Sequence, residues 1–153
     1  EYTEKLCQEF ANHFKDMGIE TVIGPATGGI ILSQVTARLL GVRSIFTERE
    51  NGKMTLRRGF KVAPGEKVLI VEDIVTTGGS IKEVVDVVNE AKGDIVGIGL
   101  LVDRSGGKAD FGVPQEKVYP LLHLTVPTYK PEECPLCKEG VPITERGSHH
   151  LKK

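Results

Sequence analysis

The chain has 153 residues, of which 39% are hydrophobic and 27% are charged, a balance typical of a folded globular domain rather than a disordered segment. Twenty basic and 21 acidic residues give a formal net charge of -1, which excludes a global electrostatic attraction to nucleic acids or membranes. Apolar runs are only strand-sized, no apolar segment opens the chain, and three cysteines form no framework of pairs, so we expect a cytoplasmic protein.

The N-terminal part of the chain alternates between helical and strand-like patterns. Apolar residues at helical spacing predict a helix over residues 3–17, which Gly18 ends. Further apolar segments predict a strand over 19–24, a buried helix over 30–40 and a second strand over 42–46. Such an alternation is typical of parallel strands joined by helices.

A polar, basic segment follows at residues 47–59. Four cations surround Gly52 in this segment: Arg49, Lys53, Arg57 and Arg58. The pattern predicts either an exposed, mobile loop or a loose hairpin.

The second half of the chain continues the alternation. KVLIVED, residues 67–73, is a continuous apolar run, the pattern of a parallel strand buried on both faces. Beyond it, the patterns predict a helix over 81–91 and strands over 94–102 and 117–126. We therefore expect an α/β fold in one domain, residues 1–153, with a mostly parallel central sheet, helices on both faces and an irregular tail over 127–153.

The segment VLIVEDIVTTGGS, residues 68–80, combines the features of a sugar-phosphate site. A buried strand leads to two carboxylates, Glu72 and Asp73, and then to threonines, glycines and a serine at a helix start. Glycines and a helix N-terminus offer N–H donors to a phosphate, while carboxylates can accept hydrogen bonds from sugar hydroxyls. The alternative is an ordinary strand, turn and helix, with Ser80 as a simple cap.

This segment resembles the signature of type I phosphoribosyltransferases that binds phosphoribosyl diphosphate (PRPP), and other segments extend the resemblance over nearly the whole chain. The resemblance implies a PRPP-binding set of nine residues: Glu72, Asp73, Ile74, Val75, Thr76, Thr77, Gly78, Gly79 and Ser80. GPATGG, residues 24–29, is similar to the diphosphate-binding loop of the family. It implies that Ala26, Thr27 and Gly28 contact diphosphate through an unusual peptide bond near Ala26–Thr27, although a simple strand-to-helix turn is the alternative.

VDRSGG, residues 102–107, resembles a strand end in the orotate-specific branch of this family. The resemblance implies that Arg104 pairs with the orotate carboxylate and that Thr76 contacts the same base. A planar guanidinium suits a planar carboxylate, but the alternative is a surface ion pair between Arg104 and Asp103.

The basic segment is similar to the flexible catalytic loop of the family. The resemblance implies that Arg49 and Lys53 act in catalysis together with Asp73, and that the loop reaches into the partner's site in a homodimer. The segment is shorter than in many orotate enzymes and lacks their histidine, so a solvated basic hairpin is the alternative. The family also carries a segment before the first helix that hoods the base; the chain starts at that helix, so we expect this hood to be missing.

The three cysteines do not predict a metal site. Cys134 and Cys137 form one CxxC, but a structural zinc site needs a second ligand pair, and His149 and His150 at the chain end are not convincing. We expect Cys7 to be a core residue of the first helix. We expect Mg²⁺ as the cofactor, carried by PRPP with no direct protein ligand.

The resemblance therefore implies an enzyme that transfers phosphoribosyl from PRPP to orotate and releases diphosphate. One alternative is a purine (adenine-type) phosphoribosyltransferase, which would keep residues 68–80. A second is a non-enzymatic regulator that senses PRPP, although the chain has no recognisable nucleic-acid reader. A third is a dinucleotide-binding domain, but no GxGxxG follows the first strand.

Overall fold

The computed structural model describes residues 1–127, 129–130 and 132–142. The helices are α1 (Tyr2–Phe14), α2 (Gly28–Leu40), α3 (Gly79–Glu90) and the short α4 (Pro135–Lys138). The strands are β1 (Thr21–Pro25), β2 (Arg43–Glu50), β3 (Lys53–Leu56), β4 (Lys67–Val75), β5 (Asp94–Asp103) and β6 (Val118–His123). Two 3₁₀ turns, Lys15–Met17 and Gln115–Lys117, complete the regular structure of the described residues.

The six strands form one sheet in the order β3-β2-β1-β4-β5-β6. All neighbours pair in parallel except β2 and β3, which form an antiparallel hairpin. The chain runs outward from β1 to β3, then returns to the other side of β1 and continues to β6. The direction of winding therefore reverses between β1 and β4, and ligands of open α/β sheets bind at the carboxyl ends of the strands at such a point.

Helices cover both faces of the sheet, as the apolar patterns predict. On one face α1 and α2 pack Phe10, Phe14 and Leu32 against apolar side chains of β1 and β4. On the other face α3 packs its valines and Ile81 against a second apolar cluster. The core of β4 is buried on both faces, which explains its unbroken apolar run.

Most predicted elements are found, with shifted ends. Strand β2 continues to Glu50, beyond the predicted end at Phe46, because it pairs with β3 in a hairpin that encloses most of the basic segment. The hairpin alternative for residues 47–59 is thus the observed one. Strand β6 ends at His123 rather than 126, and the tail contains the single turn of α4. Of the helices that the structure describes, none has the length and apolar character that crossing a bilayer would require.

Candidate active site

Two loops meet where the winding of the sheet reverses. The first follows β1 and leads into α2, and the second follows β4 and leads into α3. In the described part of the chain neither helix has a side-chain cap at its N-terminus. The first N–H groups of both helices therefore remain available, and their dipoles favour an anion at this edge of the sheet.

A cleft of about 200 Å³ opens beside the second loop. Its walls include Glu72 and most of the segment that follows it, through Ser80. Thr76 and Thr77 are exposed, so their hydroxyls are accessible to a ligand. Helix α3 begins at Gly79 after Gly78, which has the left-handed backbone (φ 84°), so Ser80 is not its cap.

The two loops are in direct contact. A Cβ atom added to Gly28 would collide with the carboxylate of Asp73, so a larger residue there would have to displace that carboxylate. The Ala26–Thr27 peptide bond is cis, which confirms the unusual peptide bond expected there. The Ala26 N–H donates to the Thr47 carbonyl at 2.7 Å, which ties the first loop to β2.

The adjacent carboxyl groups of Glu72 and Asp73 differ in their surroundings. Glu72 is buried, whereas Asp73 is partly exposed. Burial and the neighbouring Asp73 carboxyl together raise the pKa of Glu72 to about 8, although the Asp73 N–H, which donates to Glu72 Oε1 at 3.0 Å, acts in the opposite direction. The protonated form of Glu72 is therefore favoured at neutral pH.

Arg104 lies directly beside the second loop. Val75 and Asp103 are paired in the β4–β5 register, so Thr76 and Arg104 are the next residues on neighbouring strands, and the Arg104 N–H donates to the Val75 carbonyl at 2.8 Å. Within the described residues the Nε of Arg104 is buried without a hydrogen-bond partner. A buried N–H of this kind is costly unless a ligand satisfies it.

The alternative of an Arg104–Asp103 ion pair is not what the structure shows. Asp103 is buried, accepts N–H bonds from Ser105 at 2.7 Å and Gly107 at 3.1 Å, and lies 3.3 Å from Nδ1 of His123. Burial acts to raise the pKa of Asp103, but the hydrogen bonds from Ser105 and Gly107 and the His123 imidazole lower it overall. Asp103 thus stabilises the turn after Arg104 and does not form an ion pair with the Arg104 guanidinium.

The two basic residues of the hairpin occupy different places. Arg49 lines the cleft together with Glu83 of α3. Lys53 lines a separate groove of about 370 Å³ between β3 and α3, which also includes Glu83. The structure therefore brings Arg49, but not Lys53, to the wall of the cleft beside Thr76–Ser80.

This arrangement can hold one ligand at two ends. Uncapped helix N-termini, glycines and hydroxyls suit a phosphate group, and the carboxyl groups of Glu72 and Asp73 suit hydroxyls of a sugar.

The family model described as a phosphoribosyl transferase domain matches residues 3–111. Orotate phosphoribosyltransferase from Desulforamulus reducens is 58% identical over 99% of this chain and 78% of its own length. The chain belongs to the phosphoribosyltransferase family, in its orotate phosphoribosyltransferase group.

Two further comparisons define the place of the chain in the family. Orotate phosphoribosyltransferase from Thermotoga maritima is 56% identical over 99% of this chain and 80% of its own length. The solved structure of the adenine phosphoribosyltransferase from Giardia lamblia with 9-deazaadenine matches with a TM-score of 0.65, at 18% identity, over 81% of this chain and 80% of that one. The structural match confirms the type I phosphoribosyltransferase fold.

The cysteines lie away from the cleft. Cys7 is fully buried in α1, as expected for a core residue, and the free thiols of Cys134 and Cys137 lie at the N-cap of α4 and within it. His149 and His150 lie outside the described residues. Among the residues that are described, no three His, Cys, Asp or Glu side chains form a group that could hold a metal ion.

The sequence does not identify Glu83 as a residue of the cleft, or Asp103 and His123 as partners at the end of β5. Glu83 lies on the polar face of α3, where an acidic residue is ordinary. Only the folded hairpin brings Arg49 against it. The sequence shows the Asp103 carboxylate directly before Arg104. The contact between Asp103 and His123, however, arises only from the pairing of β5 with β6.

Proposed function

We propose that this chain transfers the phosphoribosyl group of PRPP to orotate, giving orotidine 5'-monophosphate and diphosphate, a step of pyrimidine nucleotide biosynthesis. The observation that carries the proposal is the position of Arg104, with its unpartnered Nε, beside the Thr76–Ser80 loop at the reversal of the sheet. The identity to orotate phosphoribosyltransferases over almost the whole chain supports the same assignment.

PRPP spans both loops in this proposal. Its 5-phosphate binds the segment from Thr76 to Ser80, where hydroxyls and the uncapped N-terminus of α3 provide donors. Backbone groups of Ile74 and Val75 line the same segment. The ribose hydroxyls donate to Glu72 and Asp73, and the diphosphate approaches Ala26, Thr27 and Gly28 at the N-terminus of α2.

In this proposal orotate is held beside the second loop, at Arg104. The Arg104 guanidinium donates a fork of hydrogen bonds to the orotate carboxylate and so satisfies its buried Nε. The Thr76 hydroxyl contacts the same base from the neighbouring strand. Adenine carries no carboxylate, so a pocket with this unpaired cation favours orotate over a purine.

The reaction is a displacement at the anomeric carbon of the ribose. The bond from this carbon to the diphosphate oxygen breaks and its electron pair leaves with diphosphate, while N1 of orotate forms the new bond and its proton is released to solvent. Glu72 and Asp73 hold the ribose as positive charge grows on the ring. Arg49 and Lys53 stabilise the charge on the departing diphosphate, with Lys53 requiring a movement of the hairpin from the groove that it lines.

Mg²⁺ is the proposed cofactor, and the residues present fit it. The partly exposed Asp73 carboxylate lies against Gly28 where the two loops meet, so a hard oxygen donor is available between the sugar and diphosphate ends. Asp73 and Glu72 would hold the ion through the ribose oxygens and water rather than as a protein cage. When bound, the ion neutralises diphosphate charge.

We also propose a homodimer that acts in the cytoplasm. The resemblance to the family supports the dimer, in which the hairpin lies near the partner's site. Free cysteines, including the buried Cys7, suit a reducing compartment.

The proposed function is tested by orotate-dependent release of diphosphate from PRPP with Mg²⁺. We expect turnover with orotate and at most traces with adenine or hypoxanthine. The double variant Glu72→Gln/Asp73→Asn should lose turnover by at least about 100-fold, since an amide replaces one acceptor oxygen of each carboxyl group with an N–H donor. PRPP binding without consumption of any base would instead favour a PRPP sensor, and turnover with adenine would favour a purine enzyme.

A further inference from the structure

The backbone that leads into Arg104 is held by strands on both sides. The Arg104 N–H donates to the Val75 carbonyl at 2.8 Å, and the carbonyl of the preceding Asp103 accepts the Leu124 N–H at 2.8 Å. Strand β5 ends at Asp103, so the chain leaves the sheet directly after Arg104. Its course beyond that point depends on contacts other than those of the sheet.

The carboxylate of Asp103 supplies these contacts. Its Oδ1 accepts the Ser105 N–H at 2.7 Å, and its Oδ2 accepts the Gly107 N–H at 3.1 Å. The Asp103 side chain is only 4% exposed, so these bonds are shielded from water. One buried side chain therefore holds the turn that follows Arg104, and with it the direction in which the arginine side chain leaves the edge of the sheet.

The same contacts keep the Asp103 carboxylate away from the arginine. Nδ1 of His123 lies 3.3 Å from Oδ2, so each carboxylate oxygen has a partner other than Arg104. The Nε of Arg104 is buried without an acceptor among the described residues. A carboxylate paired with Arg104 would compete with an anionic ligand for the guanidinium, and the turn prevents this competition.

We propose that Asp103 is a positioning residue that directs the Arg104 guanidinium toward the carboxylate of the base, and so sets the affinity for orotate without contacting it. This role rests on the proposed function and adds a residue to it. A planar fork binds a planar carboxylate well only in a defined orientation. Loosening of the turn should therefore weaken the binding of orotate while leaving that of PRPP almost unchanged.

The first test is Asp103→Asn, with Asp110→Asn as the control. The amide keeps one acceptor oxygen but replaces the other with an N–H donor, so it can satisfy only one of the two N–H groups of the turn. We expect the KM for orotate to rise about 5- to 20-fold while the KM for PRPP changes by less than about twofold. Asp110 accepts the Gly112 N–H at 2.9 Å in a similar turn, and its variant should keep the parental KM for orotate.

Two glycine variants test the turn without changing a buried charge. Gly107 and Gly112 both have φ 75°, each donates its N–H to an aspartate, and open space surrounds the position of a Cβ atom at both. Alanine is strained at this φ but meets no neighbour there, so both variants should fold. Gly107→Ala should raise the KM for orotate about two- to fivefold, whereas Gly112→Ala should leave it unchanged. If Asp103→Asn does not fold, this pair decides alone.

A double-mutant cycle shows whether Asp103 acts through Arg104. In an Arg104→Ala background, Asp103→Asn should change the KM for orotate by less than about 1.5-fold, because the group that it orients is gone. An equal rise in both backgrounds would overturn the proposal. An unchanged KM for orotate in folded Asp103→Asn or in Gly107→Ala would also overturn it, as would an equal rise in the KM for PRPP or in a control variant.

The kinetics also separate this role from the proposed function. If the parent chain does not consume orotate, or if Arg104→Ala leaves the use of orotate intact, the proposed function fails and the role of Asp103 fails with it. An active parent that depends on Arg104 but tolerates Asp103→Asn and Gly107→Ala overturns the role of Asp103 alone.

Discussion

At the scale of single residues, the site depends on polar groups whose partners are missing or mismatched before a ligand binds. Arg104 has a buried donor without an acceptor among the described residues, and Glu72 is buried beside another carboxyl group. Such groups are unfavourable in the free protein and favour whichever ligand supplies the complementary atoms.

Replacement of Arg104 should weaken orotate use selectively. Arg104→Lys keeps the charge but loses the planar fork, so we expect kcat/KM for orotate to fall about 10- to 100-fold while the KM for PRPP changes little. Steady-state kinetics with each substrate varied in turn measures both values. An equal loss for PRPP would contradict a role confined to the base.

Glu72 should make the stability of the ligand-free chain depend on pH. Its pKa rises from the ordinary value of 4.5 to about 8 on folding, so the folded state binds this proton more tightly than the unfolded state. Stability should fall as pH rises from about 4.5 to about 8, with no further loss from this group above that range. Urea unfolding at pH 5 and pH 8.5 should show a decline that is about 2–4 kcal/mol larger for the parent than for Glu72→Gln. Equal declines would show that folding does not raise the pKa of Glu72.

At the scale of the elements, small residues on β5 allow α1 to approach the sheet. Gly97 is buried, and a Cβ atom there would collide with the ring of Phe14. Gly99 lies against Phe10 in the same way, at 3.0 Å from ring carbon to the position of a Cβ. The two rings of α1 therefore pack directly on the backbone of β5.

Gly97→Ala should destabilise the fold by about 1–3 kcal/mol, because the added methyl group overfills a packed contact with Phe14. Denaturant unfolding at fixed pH measures the change. In the Gly97→Ala background, Phe14→Leu should cost less than it does in the parent, since the smaller side chain makes room for the methyl group. Additive losses would place the strain elsewhere.

The elements were predictable where one local rule decides the conformation. The continuous apolar run of β4 and the helix-period valines of α3 predicted both elements because burial on the sheet determines their patterns. The sequence of residues 47–59 did not decide between an exposed loop and a hairpin. The strands of this segment are polar, and their register depends on the pairing of Glu50 with Lys53. The contact of Arg49 with Glu83 spans 34 residues and leaves no trace in either local pattern.

At the scale of the whole molecule, the order of the strands assembles the site. The motifs at residues 24–29 and 72–80 were visible as separate segments, and the rule for parallel sheets placed both at the same edge. No single segment of the sequence predicts on which side of β1 the strand β4 pairs. That pairing brings Gly28 against Asp73 and makes one site from two loops.

The pairing of β1 with β4 also links ligand capture to completion of the fold. Thr21 meets Val68 and Ile23 meets Ile70, so the seam joins parts of the chain that lie 47 residues apart. The seam is the middle of the sheet, whereas β3 and β6 are its margins. A sugar phosphate bound across the seam would slow the opening of the central strands to hydrogen exchange while leaving the marginal strands to fray as before.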